Sequence, residues 1–252
     1  MKISYQVPIA FDPQDKDFSR VKARIIDSIS EVKRPDTRFD IRPSRGLRDV
    51  ARIADCAARF QNDGAIFDSM HDAVAEGIDG LVSACFFDSA LWPARQKFDI
   101  PVVGLAESSL ALAKSIGRRV AIMPVEDRYV PIVEDLIDLY GFRTSAISTN
   151  PVRALPANEA EAMTWFLNGQ IDRLAEAVER VARTCIRDGA DVLVVGCGLV
   201  SVLVSEVAGM REIDGVPLIL PLAAATKAIE TLVDLKAAGH PVKTARGYWG
   251  RC

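Results

Sequence analysis

The segment Asp79-Gly-Leu-Val-Ser-Ala-Cys85 returns later in the chain as Asp191-Val-Leu-Val-Val-Gly-Cys197. Each copy is followed by a helical stretch and then by an apolar run opened by Ile100-Pro101 or Val216-Pro217. A near-repeat on this scale predicts a duplicated α/β unit, each copy placing a cysteine where a buried strand ends and a helix begins. Few architectures accommodate such a chain, because both copies must bury an apolar strand and leave its carboxyl end accessible.

The rest of the sequence is consistent with that reading. Strand-like apolar runs are expected at Ile3 to Val7, Thr37 to Ile41, Gly80 to Cys85, Ile100 to Leu105, Val120 to Met123, Thr144 to Ser148, Val192 to Cys197 and Val216 to Leu220. Between them lie stretches with helical spacing, such as Val21, Ile25, Ile26 and Ile29, or Ile171, Leu174, Ala175, Val178 and Val181. Asn158 followed by Glu161 predicts a capped start for the second of these helices, and Gly189 its stop. Strands alternating with helices predict an α/β fold of two similar pseudo-symmetric lobes, each a mostly parallel sheet flanked by helices, with the active site in the cleft between them. The first lobe is expected over residues 1–118 and 222–252, the second over 119–221.

Composition narrows the function. With 252 residues, 49% of them hydrophobic, the chain can bury a large core. Lys+Arg 31 against Asp+Glu 34 leaves no surplus of positive charge for a phosphate backbone, so no nucleic-acid partner is expected. The apolar stretches fall short of the ~20 residues that span a bilayer. The run before Pro8 is a poor signal peptide, and a cytoplasmic location is expected. The cysteines, Cys56, Cys85, Cys185, Cys197 and Cys252, are widely spaced and lack a C-x-x-C pair, which argues against a disulfide framework or a zinc site. His71 and His240 are the only histidines, and neither has a ligand partner at metal-binding spacing. Chemistry must therefore rest on thiols, carboxylates and backbone groups.

Two thiols facing each other across a cleft suit one kind of reaction. Inverting a weakly acidic carbon beside a carbonyl requires a base on one face and an acid on the other. Cysteine serves as either, since its ordinary pKa of about 8.5 falls when the sulfur sits at a helix N-terminus. The backbone N–H groups after each cysteine, in Phe86-Phe87-Asp88 and Gly198-Leu199-Val200, are placed to meet negative charge developing on a carbonyl.

The stretch Ala84-Cys85-Phe86-Phe87-Asp88-Ser89-Ala90-Leu91, with Ile100 to Glu107, Arg118 to Ile122, Val130 to Leu136 and Val194 to Gly198, resembles the aspartate/glutamate/hydantoin racemase superfamily, and its hydantoin racemase branch in particular. The resemblance covers roughly residues 75–240. It implies two α/β lobes, homo-oligomers, no cofactor, and Cys85 and Cys197 as the catalytic acid/base pair. The sequence also departs from the branch. Where an Asn-Pro-Asn-Ser or -Thr motif usually follows the first strand, this chain has Val7-Pro8-Ile9-Ala10; Pro124-Val125 stands for a Thr-Thr pair, and Leu220-Pro221 for an Asp-Gly. Each change removes hydrogen-bonding groups, so a less polar, bulkier or differently oriented substrate is expected, or loss of catalysis with retention of a binding pocket.

Around the two cysteines, Phe86, Phe87, Asp88, Glu107, Ser108, Gly198 and Leu199 are the candidate substrate-binding residues. Asp88 and Glu107 are near enough to orient an amide or tune Cys85, though exposed loop carboxylates are common. Ser108 and Ser109 would serve as helix N-caps or as an anion contact. Phe86, Phe87 and Trp92 line a pocket or simply pack. Cys56 and Cys185 read as structural thiols in helices and Cys252 as a frayed end, while Arg42, Arg45 and Arg48 read as a solvated cluster or a lure for an anionic substrate. The leading reading is a cofactor-independent racemase or epimerase of the hydantoin or allantoin type, acting on a small molecule by two-cysteine proton transfer. A maleate-isomerase-like cysteine isomerase and a non-catalytic two-lobed binder are the alternatives.

Overall fold

Two four-stranded sheets organise the chain, in a computed structural model that describes residues 1–11, 14–206 and 208–247. The first sheet contains β1 (Lys2–Val7), β2 (Arg38–Pro43), β3 (Gly80–Ser83) and β4 (Val102–Gly104) in the order β2-β1-β3-β4, all parallel. The second contains β5 (Val120–Met123), β6 (Val192–Val195), β7 (Glu212–Ile213) and β8 (Val216–Ile219) in the order β5-β6-β8-β7. Here only the short β7 runs antiparallel, turning into β8 through Asp214 and Gly215, both at positive φ, a pair suited to a tight hairpin.

Strands β3 and β6 are interior and buried along their whole length, which accounts for their apolar sequences; the one polar side chain, Ser83 at the end of β3, donates its hydroxyl to the Ser89 carbonyl. The aspartate that opens each repeat has the same task in both lobes. Asp79 accepts a hydrogen bond from the Lys2 backbone N–H at 2.7 Å, and Asp191 accepts from those of Arg118 and Arg119 at 2.9 and 2.7 Å. Each carboxylate thus ties the central strand to the start of its neighbour, β1 or β5.

Two expectations need correction. Thr144 to Ser148 is not a strand: Arg143–Ser145 forms a single 3-10 turn, and the following chain meets β5 only in isolated parallel bridges, Ala146 with Val120 and Val152 with Ile122. Asn150 at φ 44 and Pro151, which has no N–H to donate, interrupt the ladder between them. The helix expected from Asn158 to Gly189 is two helices. Asn158 does form a capping box with Glu161, but it heads the short α6 (Glu159–Leu167). The chain then reverses at Asn168-Gly169, with Gly169 at φ 70, before α7 (Ile171–Arg187).

The other helices are α1 (Lys16–Val32), α2 (Cys56–Ala75), α3 (Leu91–Lys97), α4 (Leu105–Ile116), α5 (Val130–Leu139), α8 (Gly198–Glu206) and α9 (Pro221–Ala237). Helix α9 follows the second sheet yet packs on α1, α4, β3 and β4. A Cβ on Gly80 would lie 2.9 Å from the Ile229 side chain, so β3 and α9 meet at a distance only glycine permits. Tyr5 and Thr226 join their hydroxyls at 2.8 Å in the same contact. Buried side chains of both sheets, from Ile3 and Tyr5 to Val192 and Val195, form one continuous apolar cluster. Among the described residues no helix is long and apolar enough to cross a membrane.

Candidate active site

Beyond the carboxyl ends of β3 and β6 the chain makes two different turns. After β6 the helix begins at once: Cys197 directly precedes α8, and the Leu199 and Val200 N–H groups are directed at its sulfur. After β3 a turn runs from Cys85 to Ala90 before α3 starts, with Asp88 and Ala90 both at positive φ (51 and 57). The expected strand-to-helix junction is therefore present at Cys197, whereas Cys85 sits at the head of a strained turn. A Cβ on Gly198 would lie 3.0 Å from the Leu105 side chain and 3.5 Å from the Ala84 carbonyl, so the two cysteine loops touch.

Between them lies a cavity of about 360 Å³ with both cysteines in its wall. Cys85 and Cys197 are buried, 7% and 6% exposed. Phe86, Phe87, Gly198 and Leu199 also line it, as do Val7, Pro8 and Ile9 from the end of β1. The wall is mostly apolar.

Asp88, Glu107 and Ser108 stand behind this wall. The buried Asp88 carboxylate accepts the N–H groups of Ala106 and Glu107, each at 2.9 Å, and the Tyr140 hydroxyl at 2.6 Å. It caps α4 from outside the helix, the task expected of Ser108 or Ser109, which lie a turn too far along because α4 already begins at Leu105. Gly104 makes room for it: a Cβ there would sit 2.2 Å from the Asp88 carboxyl carbon. Burial pushes the Asp88 carboxyl up to about 7. Glu107 forms a two-pronged ion pair with Arg95, whose guanidinium lies over the Trp92 ring. The Ser108 hydroxyl is buried without a hydrogen-bond partner among the described residues.

The remaining candidates scatter. Cys56 is exposed at the first position of α2, and Cys185 is buried in α7. Cys252 lies outside the described residues. Arg42 pairs with Asp40 and Glu76, and Arg45 with Asp72, while Arg48 reaches the cavity wall.

Of the wall residues that the sequence reading did not single out, Glu159 and Tyr129 bear on the chemistry. Glu159, the first residue of α6, is 8% exposed, and its Oε1 accepts the Cys197 thiol at 3.3 Å. Burial pushes its carboxyl up to about 7. Tyr129, 2% exposed, stands edge-on to Phe87 with ring centroids 5.0 Å apart. Burial, with Glu159 and Cys197 nearby, raises its ionisation far enough to keep the phenol protonated. A glutamate one residue after an N-cap ordinarily reads as a solvated partner of the helix dipole, so nothing in the local sequence marks Glu159 as buried.

Burial also governs the thiols. It pushes Cys85 up to about 12, against the opposing Phe87 N–H and Ser89 hydroxyl, and holds Cys197 well above its ordinary value with the Glu159 charge adding to the effect. Helix N-terminal stabilisation does not prevail over desolvation here. Both sulfurs therefore carry protons at neutral pH, and Glu159 is the carboxyl hydrogen-bonded to one of them.

The sequence pattern of the Asp/Glu/Hydantoin racemase family matches residues 23–229. The chain belongs to this family. It is similar to the hydantoin racemase of a Pseudomonas species, 35% identical over 67% of this chain and 64% of that protein, and to that of Rhizobium meliloti, 33% identical over 68% of this chain and 66% of that protein. The match thus spans a little under two thirds of those proteins' length. The fold is that of the allantoin racemase of Pseudomonas fluorescens, at a TM-score of 0.80 and 21% identity, covering 99% of this chain and 97% of that one. In this member of the racemase family, the wall around the sulfurs includes Tyr129 and Glu159 of the second half of the chain, together with the apolar Val7-Pro8-Ile9.

Proposed function

We propose that the protein is a cofactor-independent racemase or epimerase of the hydantoin or allantoin type, which inverts a carbon next to a carbonyl by proton transfer between Cys85 and Cys197. The observation that carries this reading is the pair of cysteines from equivalent strand ends, in the wall of one cavity, with a titratable carboxyl on one of them. General acid–base groups so placed contribute roughly 10²–10⁴-fold each.

The proton inventory balances. Glu159 takes the Cys197 proton on Oε1, leaving a thiolate. That thiolate removes the proton from the substrate carbon, and the electron pair moves onto the adjacent carbonyl oxygen. Cys85 delivers its proton to the opposite face, so the product leaves with Cys197 protonated and Cys85 as the thiolate. Glu159 then gives up its proton to solvent and Cys85 takes one up, which restores the starting protonation; the other enantiomer enters on the Cys85 thiolate form and runs the same steps in reverse. The developing oxyanion depends on a fixed donor, and the Tyr129 hydroxyl is the one on the cavity wall; the N–H groups after each cysteine are already directed at the sulfurs, where they stabilise the thiolates.

Arg48 is the cationic side chain on the wall among the described residues, which favours a neutral or singly charged ring over a dianionic diacid of the maleate type. The test is incubation of a chiral 5-substituted hydantoin in deuterated water. Loss of optical rotation together with deuterium at C5 is expected; no exchange across a panel of hydantoins and allantoin sinks the proposal.

A further inference from the structure

Two polar atoms of the cavity wall are incompletely paired. The Tyr129 hydroxyl and Oε2 of Glu159 are both buried and neither completes a well-formed hydrogen bond among the described residues; the two side chains are near enough to interact with one another, Glu126 also lies beside Tyr129, and Tyr129 and Glu159 line the same cavity as the cysteines. Native proteins rarely leave such groups incompletely paired, and a donor beside an acceptor in a ligand-sized space marks where a ligand's own polar atoms go. The two atoms are complementary. Tyr129 stays protonated and donates. Oε1 of Glu159 faces the Cys197 thiol, so a proton passed between them resides on that oxygen, and Oε2 remains an acceptor throughout.

We infer that Tyr129 and Glu159 grip the amide edge of the substrate, its carbonyl accepting from the Tyr129 hydroxyl and a ring N–H donating to Oε2 of Glu159. This rests on the racemase reading and narrows it. A donor and acceptor side by side match a cyclic amide or ureide, whose N–H and C=O are held on the same side. The rest of the wall, Val7, Ile9 and Phe86 among it, offers apolar surface, so the substituent on the reacting carbon is a hydrocarbon group. Edge-on packing against Phe87 fixes the Tyr129 ring, and the cap at Asn158 fixes the start of α6 that carries Glu159. Tyr129 then meets the carbonyl that gains charge as the proton departs, and so acts in catalysis as well as in recognition.

The experiment uses a ligand that binds without reacting. 5-Benzyl-5-methylhydantoin keeps the amide edge and has no proton on C5; its two N-methyl isomers each remove one donor. Calorimetric titration of the wild-type protein is expected to show one isomer binding about tenfold or more weakly than the parent. Tyr129→Phe is expected to weaken the parent about tenfold, and Glu159→Leu to make the two isomers bind alike. Equal binding of parent and both isomers to wild type, unchanged affinity in Tyr129→Phe, or no binding of the parent overturns the inference. Deuterium exchange on the wild type judges the wider reading separately. Exchange without N-methyl discrimination discards the grip and keeps the racemase; discrimination without exchange does the reverse.

Discussion

Cys197 donates its thiol hydrogen to Oε1 of Glu159 at 3.3 Å, in the mostly apolar wall of the cavity, where both groups are buried. A carboxyl that titrates close to neutrality is thereby coupled to a thiol that alone would hold its proton far above it. The pair has two accessible proton positions, and pH selects between them.

Activity is therefore expected to rise with pH through about 7, the value to which burial pushes Glu159, because the protonated carboxyl cannot accept the Cys197 proton. In Glu159→Gln this limb should vanish from the kcat/KM profile, with overall activity reduced. A limb of unchanged position in the variant would assign it to another group.

The same carboxyl makes stability depend on pH. Its folded-state value lies above that of an unfolded chain, so its contribution is fully present below about 4.5 and is lost as pH rises to about 7. Across that window the loss amounts to roughly 3–4 kcal/mol at most, from about 1.4 kcal/mol per pKa unit. Urea unfolding of Glu159→Gln is expected to show a flatter dependence between pH 5 and 8 than wild type, and a parallel dependence would contradict the assignment.

Replacing either cysteine by serine is expected to lower racemisation by about 10²-fold or more while leaving the melting temperature within a few degrees. Serine nearly matches the buried volume but is far less acidic than a thiol. Polarimetry and thermal unfolding on the same samples separate a chemical loss from a structural one.

Asp88 and Gly104 are expected to couple. Asp88→Ala leaves the Ala106 and Glu107 N–H groups and the Tyr140 hydroxyl unpaired, at a cost of roughly 2–4 kcal/mol. Gly104→Ala is expected to destabilise as well, because its Cβ would press on the Asp88 carboxyl. Once that carboxyl is removed the clash disappears, so denaturant unfolding of the double variant should show much less than the sum of the two losses.

Ile9 sits in the cavity wall where the racemase branch usually carries an amide. Ile9→Asn is expected to shift kcat/KM about tenfold toward allantoin and away from 5-benzylhydantoin, by adding a polar partner and interrupting the apolar surface. Rates for the two substrates measured in parallel check the ratio.

Much of this arrangement was legible in the sequence, for identifiable reasons. β5 spans the Val120 to Met123 run expected of it, and β3 and β6 carry apolar patterns with no polar face to confuse them with amphipathic helices. The repeat pointed to Cys85 and Cys197 together, because a duplicated strand end is a local pattern. Glu159 and Tyr129 were not legible: their burial depends on how α6 and the turn before α5 fold over the second sheet, which no local spacing encodes. Asp88 was noticed for its nearness to Cys85, yet its partners Ala106, Glu107 and Tyr140 come from two other helices or their ends, and only tertiary structure turns the carboxylate away from the cavity.

The unequal turns after β3 and β6 mean that the duplication has not preserved equivalence. One sulfur has a carboxyl and the first turn of a helix beside it; the other has the Phe87 N–H and the Ser89 hydroxyl. A racemisation conducted between such unlike bases has a lopsided free-energy profile even though its products are of equal energy. In the proposed mechanism one proton transfer is the higher barrier from both sides, and it moves the substrate's own hydrogen in one direction only, so primary deuterium isotope effects measured from the two enantiomers are expected to differ in size.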